Sequence, residues 1–217
     1  MKRTILFLSL MLLALGGCKF SSVNKTSGSG TMKLEKRNVP AFVALDISGA
    51  YDVVVVVQKE QSLEIEGDDN LLPLIKTEVN NGVLEIKNEK SFDTKNKLRV
   101  RISVANLDGI TTSGASEFTV SNIKSDEFNV NASGAGNMKL SGETKSLKLD
   151  TSGACEVDAK DLRAEKVSVD SSGASNLDVY ATEELLVDAS GAGNVNYYGN
   201  PKKIDENSSG AARITKK

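Results

Sequence analysis

The chain of 217 residues contains no histidine and no tryptophan, and its only cysteines are Cys18 and Cys155. Without histidine there is no Ser-His-Asp triad, no Cys-His catalytic pair and no Cys/His zinc cluster. Cys18 ends a leader-like segment, which leaves Cys155 as the one thiol of the remaining chain, and one thiol cannot form an internal disulfide. An excess of positive charge is missing too: 27 Lys and Arg stand against 29 Asp and Glu, with both signs interspersed. No basic stripe marks a nucleic-acid partner. Arginine is scarce in the repeated part, where Arg163 is the only one between residues 128 and 202.

What is present begins with MKRTILFLSLMLLALGGCKF: a basic start, an apolar run from Ile5 to Leu15, then small residues up to Cys18. That is the layout of a secretory signal peptide, here residues 1–17, and the run is too short to span a bilayer comfortably. Leu15-Gly16-Gly17-Cys18 resembles the lipobox of bacterial lipoproteins, in which the Cys thiol is acylated and becomes the new N-terminus. The alternative is an ordinary cleaved secretory protein with a chance cysteine. Acyl chains contribute about 0.8 kcal/mol per buried methylene, so a lipidated Cys18 would anchor the protein to a membrane without spanning it. Lys19, where the inner-membrane retention signal of lipoproteins has Asp, points to the outer membrane, on either its periplasmic or its surface face. Cys18 and the Ser/Gly/Thr-rich residues up to 34 read as an anchor and flexible tether, with an r.m.s. span of roughly 20 Å. Loss of Lys2 and Arg3 with the leader leaves a net charge of about −4, from 25 basic and 29 acidic residues.

The tripeptide Ser-Gly-Ala recurs with its Ser at 48, 113, 133, 152, 172, 190 and 209. After a first gap of 65, the spacings are 20, 19, 20, 18 and 19. A steady period near 19 is the signature of a solenoid. On one side of the tripeptide stand Phe128/Val130, Leu147/Leu149, Val167/Val169 and Leu185/Val187; on the other stand Phe118/Val120, Met138/Leu140, Val157/Ala159, Leu177/Val179 and Val195/Tyr197. These pairs are period-2 strands with apolar side chains inward. A weaker third segment closes each turn, as in SNIKSDE and KDLRAEK. Three sides per turn make a parallel β-helix, for which chain chirality favours the right hand. The fold class is therefore all-β, a right-handed parallel β-helix over residues 107–217. Gly at each corner can adopt positive φ, and small neighbours let turns stack closely.

Residues 35–106 differ and read as a partly antiparallel N-terminal cap with a first turn interrupted by an insertion. Val53 to Val57 are consecutive valines, and the expectation is that the insertion covers both their faces. Within it lie SLEIEG, a turn or short helix at DNLLPLIK, a hairpin with Asn81-Gly82 at its tip, and LRVRISV. RITKK closes the far end with charge, as an exposed sheet edge requires.

ISGAYDVVVVVQKEQSLEIEGDDNLLPLIKTEVNNGVLEIKN, then LDGITTSGAS, the SGAGN-like turns and YYGNP at 197 together resemble the putative auto-transporter adhesin, head GIN domain family, over about residues 36–215. The resemblance implies a right-handed β-helix in a bacterial cell-envelope setting. It brings no catalytic residues with it.

Two surface columns follow from the repeat register. Two residues before the repeat Ser, Asp150, Asp170 and Asp188 fall in line about 5 Å apart, a spacing at which like charges repel. Such a column could take calcium through its oxygens; alternatively the carboxylates diverge into solvent, offset by Lys148 and Lys166. No other cofactor is indicated. Beyond the Ser, Glu117 begins a second column of Asn137, Glu156, Asn176 and Asn194, with Asp158, Asp178 and Asn196 two positions further on. Asn ladders stabilise stacked turns. The same flat acidic and amide-rich face also suits an extended glycan or a protein ligand. Tyr180 and Tyr198 are its surface aromatics, with Tyr197 inward. Cys155 occupies a small-residue position and reads as packed rather than reactive.

The leading expectation is a non-catalytic, lipid-anchored envelope protein that binds or adheres through this face. A polysaccharide-binding or polysaccharide-degrading β-helix is a second reading. Against degradation, the turns lack the long loops that build a groove. A periplasmic envelope-sensing module is a third.

Overall fold

A computed structural model describes residues 25–58 and 60–217. The expected signal peptide and lipidation site, residues 1–17 and Cys18, lie outside the described residues. Seventeen strands follow one another: β1 (Thr26–Ser27), β2 (Met32–Lys36), β3 (Ala44–Gly49), β4 (Asp52–Val57), β5 (Ser62–Asp68), β6 (Ile75–Asn80), β7 (Val83–Asn88), β8 (Phe92–Asp93), β9 (Arg99–Val104), β10 (Gly109–Gly114), β11 (Glu117–Gly134), β12 (Asn137–Gly153), β13 (Glu156–Gly173), β14 (Asn176–Gly191), β15 (Asn194–Tyr198), β16 (Lys203–Gly210) and β17 (Arg213–Lys216). A single 3-10 turn, Leu72–Leu74, is the only helical piece among the described residues. The chain forms a β-solenoid of about five turns.

Each of β11 to β14 is a full coil that bends through its corners while staying paired, in parallel, with the coils on either side. The Ser-Gly-Ala repeat sets the register. Gly49, Gly114, Gly134, Gly153, Gly173, Gly191 and Gly210 stack in one column. At Gly153 φ is +113°, and a Cβ there would stand 2.3 Å from the carbonyl oxygen of Gly134. That oxygen accepts the N–H of Ala154 at 2.8 Å, and the same bond recurs from Ala174 to Gly153 and from Ala192 to Gly173. The left-handed glycine aims the next amide along the stack, and the space a side chain would fill is where that hydrogen bond lies. The serines add a second link: Ser133 Oγ donates to Thr112 O and Ser190 Oγ to Ser171 O, at 3.3 and 3.4 Å. Ser-Gly-Ala is thus the corner that bolts coil to coil.

Alternation fills the interior. Every inward position expected from the repeat is buried, from Phe118 and Val120 through Val195 and Tyr197. The third side contributes Ile123, Thr144, Leu162, Ala164 and Ala181, next to the register shifts that mark the corners. One core runs from Phe42 to Tyr197.

The gap of 65 residues between the first two serines is an insertion between adjacent coils, because β3 and β10 are hydrogen-bonded neighbours and Ser48 Oγ lies 2.9 Å from Ser113 Oγ. The inserted chain caps the N-terminal pole. β7 pairs with β3 in parallel and turns back into antiparallel β6 through Asn81-Gly82, with φ values of 51° and 78°. These positive values are those of a tight two-residue hairpin turn. On the other flank β9 pairs with β4, and β5 and β2 follow antiparallel.

Two expectations need correction. The valines of β4 are not covered on both faces: Val53 and Val55 are fully buried, while Val54 is 39% exposed. Both edges of β4 are paired, with β9 and β11, so its backbone offers nothing to another chain and one solvated face is tolerated. The expected tether is also shorter than its composition suggests. β1 pairs with β8 and β2 with β5, so the chain is fastened to the cap from Lys25 onward. Asp68, buried, accepts from Gly30 N at 2.7 Å, Asn96 Nδ2 at 2.9 Å and Thr94 Oγ1. Asn70 accepts from Ser29 N and donates to Ser27 O, at 2.9 and 2.8 Å.

Candidate functional site: a continuous polar face

Residues that alternate with the buried ones point outward. In-register pairing lines them up from one coil to the next. Asn137, Glu156, Asn176 and Asn194 fall on one line, and Asp158, Asp178 and Asn196 on the line beside it, so the structure brings all seven expected face residues together. Asn194 Nδ2 donates to Asn176 Oδ1 at 2.9 Å and Asn196 Nδ2 to Asp178 Oδ1 at 2.7 Å. Lys160 Nζ sits 2.5 Å from Asp158 Oδ2. These contacts each use one donor or acceptor of a multivalent group, and the remaining lone pairs and N–H groups face solvent.

The face does not stop at the repeats. Through β11, β4, β9, β5 and β2 the first line continues to Glu117, as expected, and on to Asp52, Arg99, Glu66 and Leu34, and the second runs through Lys139 of β12 to Thr119, Val54, Arg101, Glu64 and Lys36. At its other end β17 adds Arg213 and Thr215. Ten strands in line span roughly 43 Å at the usual inter-strand spacing. The cap part carries ion pairs, with Glu66 3.6 Å from Arg99 and 3.1 Å from Arg101. The C-terminal part carries amides, carboxylates and tyrosines.

Tyr180 and Tyr198 are in-register neighbours at one border of the face, both half-buried. Arg163 completes the row, its guanidinium carbon 5.2 Å from the centre of the Tyr180 ring. A cation held over a ring face is attracted by the ring quadrupole. Tyr197 points inward as expected; burial first, then the Glu206 carboxylate beside it, raise its phenol above the ordinary tyrosine range. Neither Arg163 nor the cap strands were legible as part of this face. Glu64, Glu66, Arg99 and Arg101 alternate with buried residues in β5 and β9, but their neighbours lie on strands far away in the chain.

Asp150, Asp170 and Asp188 do stand in register on a different side of the coil. Lys148 Nζ is 3.2 Å from Asp150 Oδ2 and Asn207 Nδ2 is 3.4 Å from Asp188 Oδ2, whereas Lys166 aligns with Glu184 and lies off this column. Among the described residues no three acidic or cysteine side chains are grouped to hold a metal ion. Cys155 is buried, its Sγ 3.7 Å from Ala132 O, and burial pushes the thiol pKa up. A thiol so placed is a poor nucleophile.

The fold has solved counterparts. A putative adhesin from Bacteroides fragilis superposes with a TM-score of 0.73 at 22% identity, over 88% of this chain and 99% of that one. A putative lipid binding protein from Parabacteroides distasonis gives 0.56 at 19% identity, over 89% and 99%. A putative adhesin from Parabacteroides merdae gives 0.56 at 18% identity, over 89% and 99%. At such identities the likeness is one of fold. No curated protein matches the chain significantly. The model of one sequence family matches residues 41–201: the chain belongs to the putative auto-transporter adhesin, head GIN domain family.

Proposed function

We propose that the protein is a non-catalytic binding protein of the bacterial cell surface, anchored through lipid on Cys18, that adheres through its long polar face. The observation that carries this reading is the unbroken register of outward side chains from β2 to β17. A rigid sheet presenting amides and carboxylates at a fixed repeat, with half-buried tyrosines at the border, can hydrogen-bond an extended hydroxyl-rich or peptide chain without first ordering its own side chains. The family description and two of the solved counterparts carry the word adhesin, which supports the same reading. No helix among the described residues is long and apolar enough to cross a membrane.

The test compares the wild type with a variant in which Asn176, Asp178, Asn194 and Asn196 are all replaced by Ala, applied to an array of glycans and matrix proteins. All four sites are outward-facing, so the fold is expected to persist. Binding by the wild type and its loss in the variant is the expected result. Binding that survives the fourfold change would refute the face as the ligand site.

A further inference from the structure

At the N-terminal pole the polar face ends on an apolar edge strand. Six large apolar side chains are exposed among the described residues, and Met32 and Leu34, at 40% and 46%, are the two that neighbour each other on one strand. Isolated exposed apolar residues are ordinary, whereas an adjacent pair on an edge calls for a partner. β2 is the outermost strand of its wing, paired only with β5, so this pair forms the rim of the pole. Lys33 and Lys36 lie on the same strand and are exposed. From residue 19 to the end of β2 the chain has Lys19, Lys25, Lys33 and Lys36 against the single acid Glu35. Of these lysines, Lys36 pairs with Glu64 at 3.3 Å and Lys25 with Asp93 at 3.1 Å, whereas Lys33 forms no ion pair among the described residues.

The route of the chain decides what covers this rim. Asp68 and Asn70 clamp residues 27–30, and β1 is held by β8. Between Cys18 and the first fastened residues only 19–25 remain, a reach of at most roughly 24 Å even fully extended. That is shorter than the polar face, which spans roughly 43 Å. We infer that the N-terminal cap docks on the membrane, Met32 and Leu34 entering the headgroup layer and Lys33 facing anionic lipid, so that the coils bearing Tyr180 and Tyr198 stand at the membrane-distal end. The inference rests on lipidation of Cys18. Apolar groups in the interface and lysines at an anionic surface add to the hold of an acyl chain, which alone binds reversibly. The clamp fixes which end of the rod faces the lipid.

The experiment uses the full chain purified from its own envelope, with the N-terminus examined by mass spectrometry and the protein reconstituted into phosphatidylglycerol-containing vesicles with brominated acyl chains. A thiol-reactive fluorophore is placed through Leu34→Cys or Ile204→Cys; both sites are exposed, and buried Cys155 stays unlabelled in the folded protein. Loss of emission at position 34 with none at 204 is the expected result. For an acylated chain, no loss at either position, or equal loss at both as in a rod lying flat, would overturn the docking inference while leaving the anchor intact. A chain found without acyl groups would overturn the anchor and the docking together.

Discussion

The two poles of the solenoid end one hydrophobic core in opposite ways. At the N-terminal pole the insertion lays Leu63, Ile65, Leu84 and Ile86, all buried, beside the first coil. At the C-terminal pole β16 keeps the register of β14 for eight residues, yet every one of them is exposed. Where the coil before has Leu185, Val187 and Ala189 inside, β16 offers Ile204, Glu206 and Ser208. A parallel stack has no intrinsic end, because each coil presents apolar side chains and unpaired amides to the next. One pole meets this by adding two more parallel strands, β7 and β9, each backed by an antiparallel one, β6 and β5. The other leaves only Ala212 and Ile214 partly buried against the core and places Arg213 and Lys216 on its last strand.

Substitutions along the axis test that contrast. The largest effect belongs between the poles. Gly153→Val must place side-chain atoms on the Gly134 carbonyl and force a β-branched residue to positive φ, with an expected loss of about 4 kcal/mol in urea unfolding. At the capped pole, Ile65→Ala empties a fully buried site and is expected to cost about 3 kcal/mol. The matching change at the open pole, Ile204→Ala, should stay within about 0.5 kcal/mol. Equal losses at Ile65 and Ile204 would show that the last coil is packed like the first.

The clamp at the capped pole is sensitive to acid. Hydrogen bonds from Thr94 first, then Asn96 and Gly30, hold the Asp68 carboxyl below the usual aspartate range. Its folded pKa is therefore below its unfolded value near 3.9, so its contribution is fully present above about pH 4 and is lost as pH falls through the folded value. Melting temperatures of the wild type and Asp68→Asn should differ near neutrality and converge below about pH 4. A constant gap across that range would show that the carboxylate charge is not what the clamp uses. The smallest effect is expected at Lys160→Ala, which removes an exposed ion pair with Asp158 and should leave the melting temperature nearly unchanged.

The same contrast explains what could be read from the sequence. Coils obey one rule repeated, so the positions from Phe118 to Tyr197 could be placed inside by counting from the repeat serine, and the seven face residues placed together in the same way. The cap obeys no repeat. Alternation shows that Ile65 and Val100 share a face with the core, but their antiparallel pairing is decided by contacts 35 residues apart in the chain. Composition misled at residues 25–34, where Ser and Gly suggested a loose linker. Their partners Asp68, Asn70 and Asp93 lie in the insertion, beyond any local signal. The outward Val54 was read as needing a cover. What protects it is the pairing of both strand edges, a property of the sheet and not of the segment.

Surface display of the polar face is the central claim, and labelling of cells with an antibody against the C-terminal coils tests it most directly. Intact cells and cells with a permeabilised outer membrane are compared, with a periplasmic protein as control. Equal labelling of the protein in both is expected, while the control appears only after permeabilisation. Labelling that requires permeabilisation would contradict surface adhesion and place the face toward a periplasmic ligand.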